Sequence, residues 1–414
     1  MHANPASLSG AADARAGTSI LILTMAAFAV LTTEFIILGI LPGLARDLGI
    51  TVPKAGQLVT VFAFTVMLVG PFLTAAISHW DRKKVFLGVL LIFAASNALS
   101  AVATDFWTMA LSRILAAATL PVFWGTASES AAQLAGKGNE GKAVARVYLG
   151  ITAAFVFGIP LGTLAADALG WRGTFWLISG LCLVIALLMW VFLPQLPEAP
   201  KRAGGERQTV ILRDPKFVFH VALSVVVFTA MFSAYTYLAD MLERLAHVPS
   251  AQVGWWLMGF GAVGMIGNAI GGRLVDRSPL GATIVLLTVL GAGMAGAPPA
   301  VDTLWLLVVA LAAWGIAYTA LFPVCQVRVM IAGAKAQALA GTLNVSAANA
   351  GIGLGAVIGG VTIEQLGLAA LGWVGALIAV LAVGLSLLLW MASDRSGNAA
   401  KCARATAPAP VKES

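Results

Sequence analysis

Gly158-Ile159-Pro160-Leu161-Gly162, followed by Asp167-Ala168-Leu169-Gly170, is the stretch on which the fold turns, because the chain repeats its pattern. Gly158, Gly162, Asp167, Leu169 and Gly170 are answered 197 positions later by Gly355, Gly359, Glu364, Leu366 and Gly367. The sequence between and around the copies is almost wholly apolar. Glycines and one acid at fixed spacing, duplicated in a lipid-compatible chain, point to a carrier built from two related halves.

Composition places that pattern in a membrane. Of 414 residues, 60% are hydrophobic and 10% charged, where a soluble chain carries about a quarter charged residues. Counting about 20 apolar residues per crossing gives twelve spans. The first six cover 18–41, 55–77, 84–103, 106–131, 142–168 and 172–193; the second six cover 216–239, 251–275, 280–300, 303–330, 337–363 and 368–392. The fold class expected is an all-α membrane protein with two pseudo-symmetric six-helix bundles, at 18–193 and 216–392. A short segment (1–17), a polar linker (194–215) and a disordered tail (393–414) complete the chain. The first apolar run is too long for a signal-peptide core and reads as an uncleaved first span.

Of the 25 Lys and Arg residues, twenty fall in the termini and loops on one side, four in loops on the other, and Arg113 within a span. That bias puts both termini in the cytoplasm. It also accounts for the net charge of +7 without nucleic acid. The cysteines Cys182, Cys325 and Cys402 and the four histidines form no disulfide, metal or nucleophile pattern, so neither a cofactor, a metal nor an enzymatic activity is expected.

Charges inside a bilayer need a reason. Glu34 lies in span one and Arg113 in span four, each about 10–12 Å below the outer surface at 1.5 Å per residue. If the spans are neighbours, the two side chains can pair. A buried carboxylate beside a movable arginine can carry a proton; a static ion pair that fixes helix packing is the alternative. Glu129, near the cytoplasmic mouth, reads as a gate or loop charge. Pro160 between Gly158 and Gly162 makes a close-packed but deformable seam. The loops Gly272-Arg273-Leu274-Val275-Asp276-Arg277 and Ser78-His79-Trp80-Asp81-Arg82-Lys83-Lys84 occupy matching places in the two halves, and their charges can latch one conformation.

These residues resemble the major facilitator superfamily of permeases over roughly 18–392. Gly272 to Arg277 resembles the family's loop motif G-x-L-x-D-R. The first-half copy departs from it at Ser78, His79 and Asp81 and keeps Arg82 and Lys83. Gly158, Pro160 and Gly162 resemble the fifth-helix antiporter motif. Thr33-Glu34-Phe35, Gly39-Ile40-Leu41-Pro42 and Asp47-Leu48-Gly49 resemble the first helix of the drug:proton antiporter branch, within which the chain is similar to bacterial arabinose, sugar and nucleoside efflux permeases. The resemblance implies a cavity lined by spans one, four, seven and ten, with Thr32, Trp124, Tyr235, Thr236, Tyr237, Tyr318 and Gln326 as candidate substrate ligands and Asn344, Ser346 and Asn349 in span eleven as further candidates. It implies proton-coupled export of a small molecule by a monomer in a bacterial inner membrane. A facilitator or symporter of the same fold, or a sensor without transport, are the rival expectations.

Overall fold

In lipid every backbone polar group has to be satisfied within the protein, and helices do this segment by segment. The computed structural model describes residues 5–77, 80–135, 139–195 and 209–405; among them are helices and turns and no strand. Eleven helical segments are long and apolar enough to cross a membrane. One of these, Glu140–Phe192, has 53 residues, far more than the about 20 that one crossing needs. Its helix breaks at Gly170 (φ 74°, ψ 158°), so it makes two crossings. The crossings therefore number twelve and leave both chain ends on one side, called here the termini side.

In the first half, spans 1 to 4 are Pro5–Asp47, Val52–Ala76, Arg82–Val102 and Phe106–Ala135. Span 5 starts as Glu140–Ala153, passes a π-helical turn at Ala154–Gly158 and continues into Ile159–Phe192 up to Gly170; span 6 is the rest of that helix. In the second half, span 7 is Pro215–Tyr235, extended by the short helix Leu238–Arg244. Spans 8 to 12 are Ser250–Arg277, Pro279–Gly296, Leu304–Ala332, Gln337–Leu366 and Leu371–Ala405.

Both chain ends are more helical than the sequence reading expects. Span 1 begins at Pro5, and the last helix runs to Ala405 where a disordered tail was expected from 393. Ala-rich sequence without proline favours continuation; Pro408 is the first breaker. Ser78, His79, residues 196–208 of the linker and 406–414 lie outside the described residues.

The repeated glycines are where the two bundles are built alike. A Cβ added at Gly158 would collide with Thr32, and one at Gly162 with Ile36, so span 5 lies against span 1. A Cβ at Gly355 would meet Thr229 O at 2.8 Å, and one at Gly359 would collide with Ser233 O, so span 11 lies against span 7. Thr229 and Ser233 themselves stand 197 positions after Thr32 and Ile36. The Leu-Gly pairs that end the motif have a backbone reason. Gly170 and Gly367 hold φ of 74° and 86°, a region open to glycine, at the turn into the following span.

The same offset marks the axis relating the halves. Phe35 stacks on Phe232 with ring centroids 5.9 Å apart, and Arg46 Nη1 donates to Glu243 Oε2 at 3.0 Å. Each pair joins positions 197 apart, as residues on a two-fold axis must. Away from the axis, span 2 packs on span 11 and span 5 on span 8, the two lateral seams that a two-fold exchanges.

Candidate functional site

Span 1 carries the site's acid and span 4 its arginine. Arg113 is 1% exposed. It does not take the Glu34 carboxylate: Nη1 donates to Thr33 O at 2.7 Å and Nη2 to Glu34 O at 2.6 Å, both backbone oxygens. Its guanidinium also lies 4.5 Å from the centre of the Phe62 ring. Among the described residues no ion pair joins Arg113 to Glu34, and no hydrogen bond to the carboxylate is seen. The expected neighbourhood of spans 1 and 4 is present, but the bidentate fork of arginine is met by two consecutive carbonyls instead of a carboxylate. Thr33 is fixed in turn: its Oγ1 donates to Ala29 O and accepts from Asn97 Nδ2 at 3.0 Å. Ser96, Ser100 and Ser112 tie spans 3 and 4 together beside it.

One residue on, Phe35 opens an aromatic cluster that bridges the halves. It touches Phe155 (5.1 Å) and Phe232 (5.9 Å); Phe155 meets Phe322 (5.9 Å), and Tyr318 packs against Tyr235 (4.4 Å), Phe232 and Phe260. Phe155 lies in the π turn that precedes Pro160. Proline has no N–H to give, and the Ile159 N–H reaches back to Ala154 O, a local widening that proline tolerates. Tyr318 is fully buried and its hydroxyl has no protein partner among the described residues. The cluster was not legible in the sequence, where isolated phenylalanines in apolar runs look like any lipid-facing residue.

The other candidate ligands divide. Trp124 is half-buried against Tyr148 (5.4 Å). Thr32 is buried against Gly158 with its hydroxyl unpartnered. Tyr237 is 0% exposed and donates to Ala356 O at 2.7 Å, a bolt between spans 7 and 11. Gln326 is half-buried; its Oε1 accepts from Asn344 Nδ2 (2.7 Å), and Asn344 Oδ1 accepts from Ser224 (2.8 Å). Behind them Arg328, counted in the sequence among the orienting charges, is 1% exposed inside span 10. Thr32, Trp124 and Phe35 from the first half and Tyr235, Tyr318 and Gln326 from the second thus lie on spans 1, 4, 7 and 10.

On the termini side, Arg82 is buried and bonds Glu129 Oε2 at 2.7 Å, joining spans 3 and 4. Asp81 caps span 3 by accepting from the Lys84 N–H at 3.0 Å; Lys83 is half-buried. Gly272 is half-buried, while Asp276 and Arg277 are exposed, with no ion pair seen among the described residues. On the far side the halves are clamped by Arg46–Glu243 and by Ser250 Oγ donating to Asp167 Oδ1 at 2.8 Å. Trp171 Nε1 and Arg172 Nη1, just after Gly170, both donate to Asp47 Oδ2 at 2.9 and 3.1 Å. Asp105 caps span 4, and its bonds from Thr108 hold its carboxyl below the usual aspartate range. Every hydrogen bond, ion pair and ring contact described between the halves lies on the far side or at mid-depth. A separate apolar crevice of about 350 Å³ lies between spans 8 and 10, with Trp255, Trp256 and Phe260 in its wall.

Two helical bundles related by a two-fold, with a buried acid, a buried arginine and an aromatic core at their junction, define a membrane transporter. The profile of the Major Facilitator Superfamily matches residues 23–330 and 241–413, and the chain belongs to that family. It is 33% identical to the inner membrane transport protein YdhP of Escherichia coli (strain K12), over 92% of this chain and 97% of that one. It is 29% identical to a probable sugar efflux transporter of Helicobacter acinonychis (strain Sheeba), over 90% and 93%. Among solved structures, a bacterial homolog of the human lysosomal transporter Spinster matches with a TM-score of 0.76 at 16% identity, covering 91% of this chain and 97% of that one. The nucleoside transporter NupG matches at 0.71 and 16% identity, over 90% and 98%. The protein is thus a multi-pass membrane transporter of small molecules and not an enzyme.

Proposed function

We propose that the chain exports a small organic molecule from a bacterial cytoplasm across the inner membrane in exchange for a proton, working as a monomer by alternating access. The observation that carries this reading is the unshared carboxylate. Glu34 is 8% exposed, and the neighbouring Arg113 is committed to the backbone oxygens of residues 33 and 34. Arg113 lies beside the carboxylate without bonding it, so the distance between the two sets how readily Glu34 holds a proton. A rotation of the guanidinium between carbonyls and carboxylate, tied to movement of span 4 against span 1, loads and unloads the proton. With the termini cytoplasmic, as the distribution of basic residues favours, the clamped far side is periplasmic and the conformation described faces inward. Thr32, Trp124, Tyr235, Tyr318, Gln326 and Asn344 then belong to or back the binding surface, while Tyr237 serves packing. Gly158, Pro160 and Gly162 form the bending seam; Arg82, Lys83, Gly272, Asp276 and Arg277 act at the cytoplasmic gate. Export is supported by the relatives named for sugar efflux.

The test is counterflow and pH-jump transport in proteoliposomes with pentoses, nucleosides and neutral or cationic drugs, read with an internal pH dye. Antiport predicts proton movement that depends on the exchanged compound. Exchange without proton movement would make the protein a facilitator and remove Glu34 from this role.

A further inference from the structure

Arg328 is a third buried cation, on span 10, and nothing in the proton-exchange account uses it. It is 1% exposed. Nη2 donates to Ser224 Oγ at 2.8 Å and to His220 O at 3.3 Å. Nε and Nη1 have no protein partner among the described residues, and neither does His220 Nδ1. The described ion pairs give it no carboxylate. Arg113 and Arg82, the other buried arginines, have both carbonyl oxygens of a turn or a carboxylate to bond. A buried guanidinium with two unbonded nitrogens and no carboxylate is costly and calls for a functional reason.

The surrounding bonds run from Arg328 to the half-buried Gln326. Arg328 donates to Ser224, Ser224 donates to Asn344, and Asn344 donates to Gln326, whose side chain is half-buried. No acid belongs to this chain of four. Gln326 and Asn344 are amides, which bind acceptors and donors alike, so the charge behind them sets the sign of the site. We propose that the transported molecule carries an anionic group, a carboxylate or phosphate, which Arg328 and the Gln326–Asn344 pair recognise from the second half. This deepens the exporter reading and rests on it. It assigns the substrate to Arg328 on one half and the proton to Glu34 on the other. An outgoing monoanion exchanged for an incoming proton moves positive charge inward, so an inside-negative potential drives the cycle as well as the pH gradient.

The test is binding in detergent, which needs neither transport nor a proton gradient. Thermal unfolding of the purified protein is followed with glucuronate and ribose 5-phosphate, and with glucose, ribose and glucosamine as uncharged and cationic counterparts. A saturable rise in Tm with at least one anion and none with its neutral counterpart is expected. Asn344→Asp sets a carboxylate into the network while preserving the acceptor for Ser224. It should weaken anion binding about tenfold or more, as should Arg328→Lys, which keeps the charge but loses the planar fork. Equal stabilisation by neutral sugars, no stabilisation by either anion, or an anion response unchanged in both variants would overturn the proposal. Loss of proton coupling alone would leave it standing and remove only the Glu34 account.

Discussion

At the scale of single residues, the buried charges of spans 1, 4 and 10 lie where the symmetry of the halves fails. Glu34 and Arg113 correspond, 197 positions on, to Met231 and Ala310, and Arg328 corresponds to Ala131. The halves share packing, but each has its own charges. Glu34→Gln is expected to fold, insert and bind substrate while losing pH-driven transport; reconstituted flux with and without a pH gradient checks it. Arg113→Lys keeps a cation but cannot bond two consecutive carbonyls at once. It should slow exchange at least about tenfold while the protein remains folded by gel filtration. Both residues were legible in the sequence, because charges in apolar runs stand out. Their mutual geometry was not, since backbone oxygens compete for the guanidinium and leave no trace in sequence. Arg328 was misread for a related reason: near the end of a span, a buried arginine and an orienting one look alike.

At the scale of elements, the glycine seams fix how each bundle is assembled. Gly158 on Thr32 and Gly355 on Thr229 are the same joint built twice. Alanine at either position overfills a close contact and should destabilise by about 1–3 kcal/mol, seen as a lower Tm for each variant. If span 5 also flexes at its π turn during the cycle, Gly158→Ala should lower turnover more than Gly355→Ala, because only the first seam carries Pro160. The seams were readable in advance because spacing survives duplication. Two things were not readable. One is the conversion of spans 5 and 6 into one helix broken only at Gly170; the other is the aromatic bridge around Phe35, which depends on which faces of five helices meet. The segment carrying Asp276 and Arg277 matched a loop motif residue by residue, yet it is the last turn of the span 8 helix, and both side chains are exposed in this conformation.

At the scale of the whole molecule, the two-fold axis is marked by one aromatic stack and one salt bridge. Arg46 and Glu243 are partly exposed, so their bond contributes about 0–1 kcal/mol. At the upper end of that range it shifts a balanced two-state carrier about fivefold. Arg46→Ala should therefore raise the open population of the far side, measured by spin-label distances between residues 103 and 300. The paired exchange Arg46→Glu with Glu243→Arg should restore closure, because an axis contact is indifferent to which half supplies which charge. The number of spans, the two halves and their offset were all present in the sequence, because membrane insertion and duplication both act on local pattern. The conformation was not, because it depends on contacts between the halves. The central claim, that Glu34 carries a proton whose release is linked to substrate binding, is tested most directly in detergent. The compound found to exchange is added to lightly buffered protein, and released protons are counted with a pH dye. The account predicts release of up to about one proton per protein, abolished by Glu34→Gln. Equal release by that variant, or none from the unaltered protein at any pH, would contradict it.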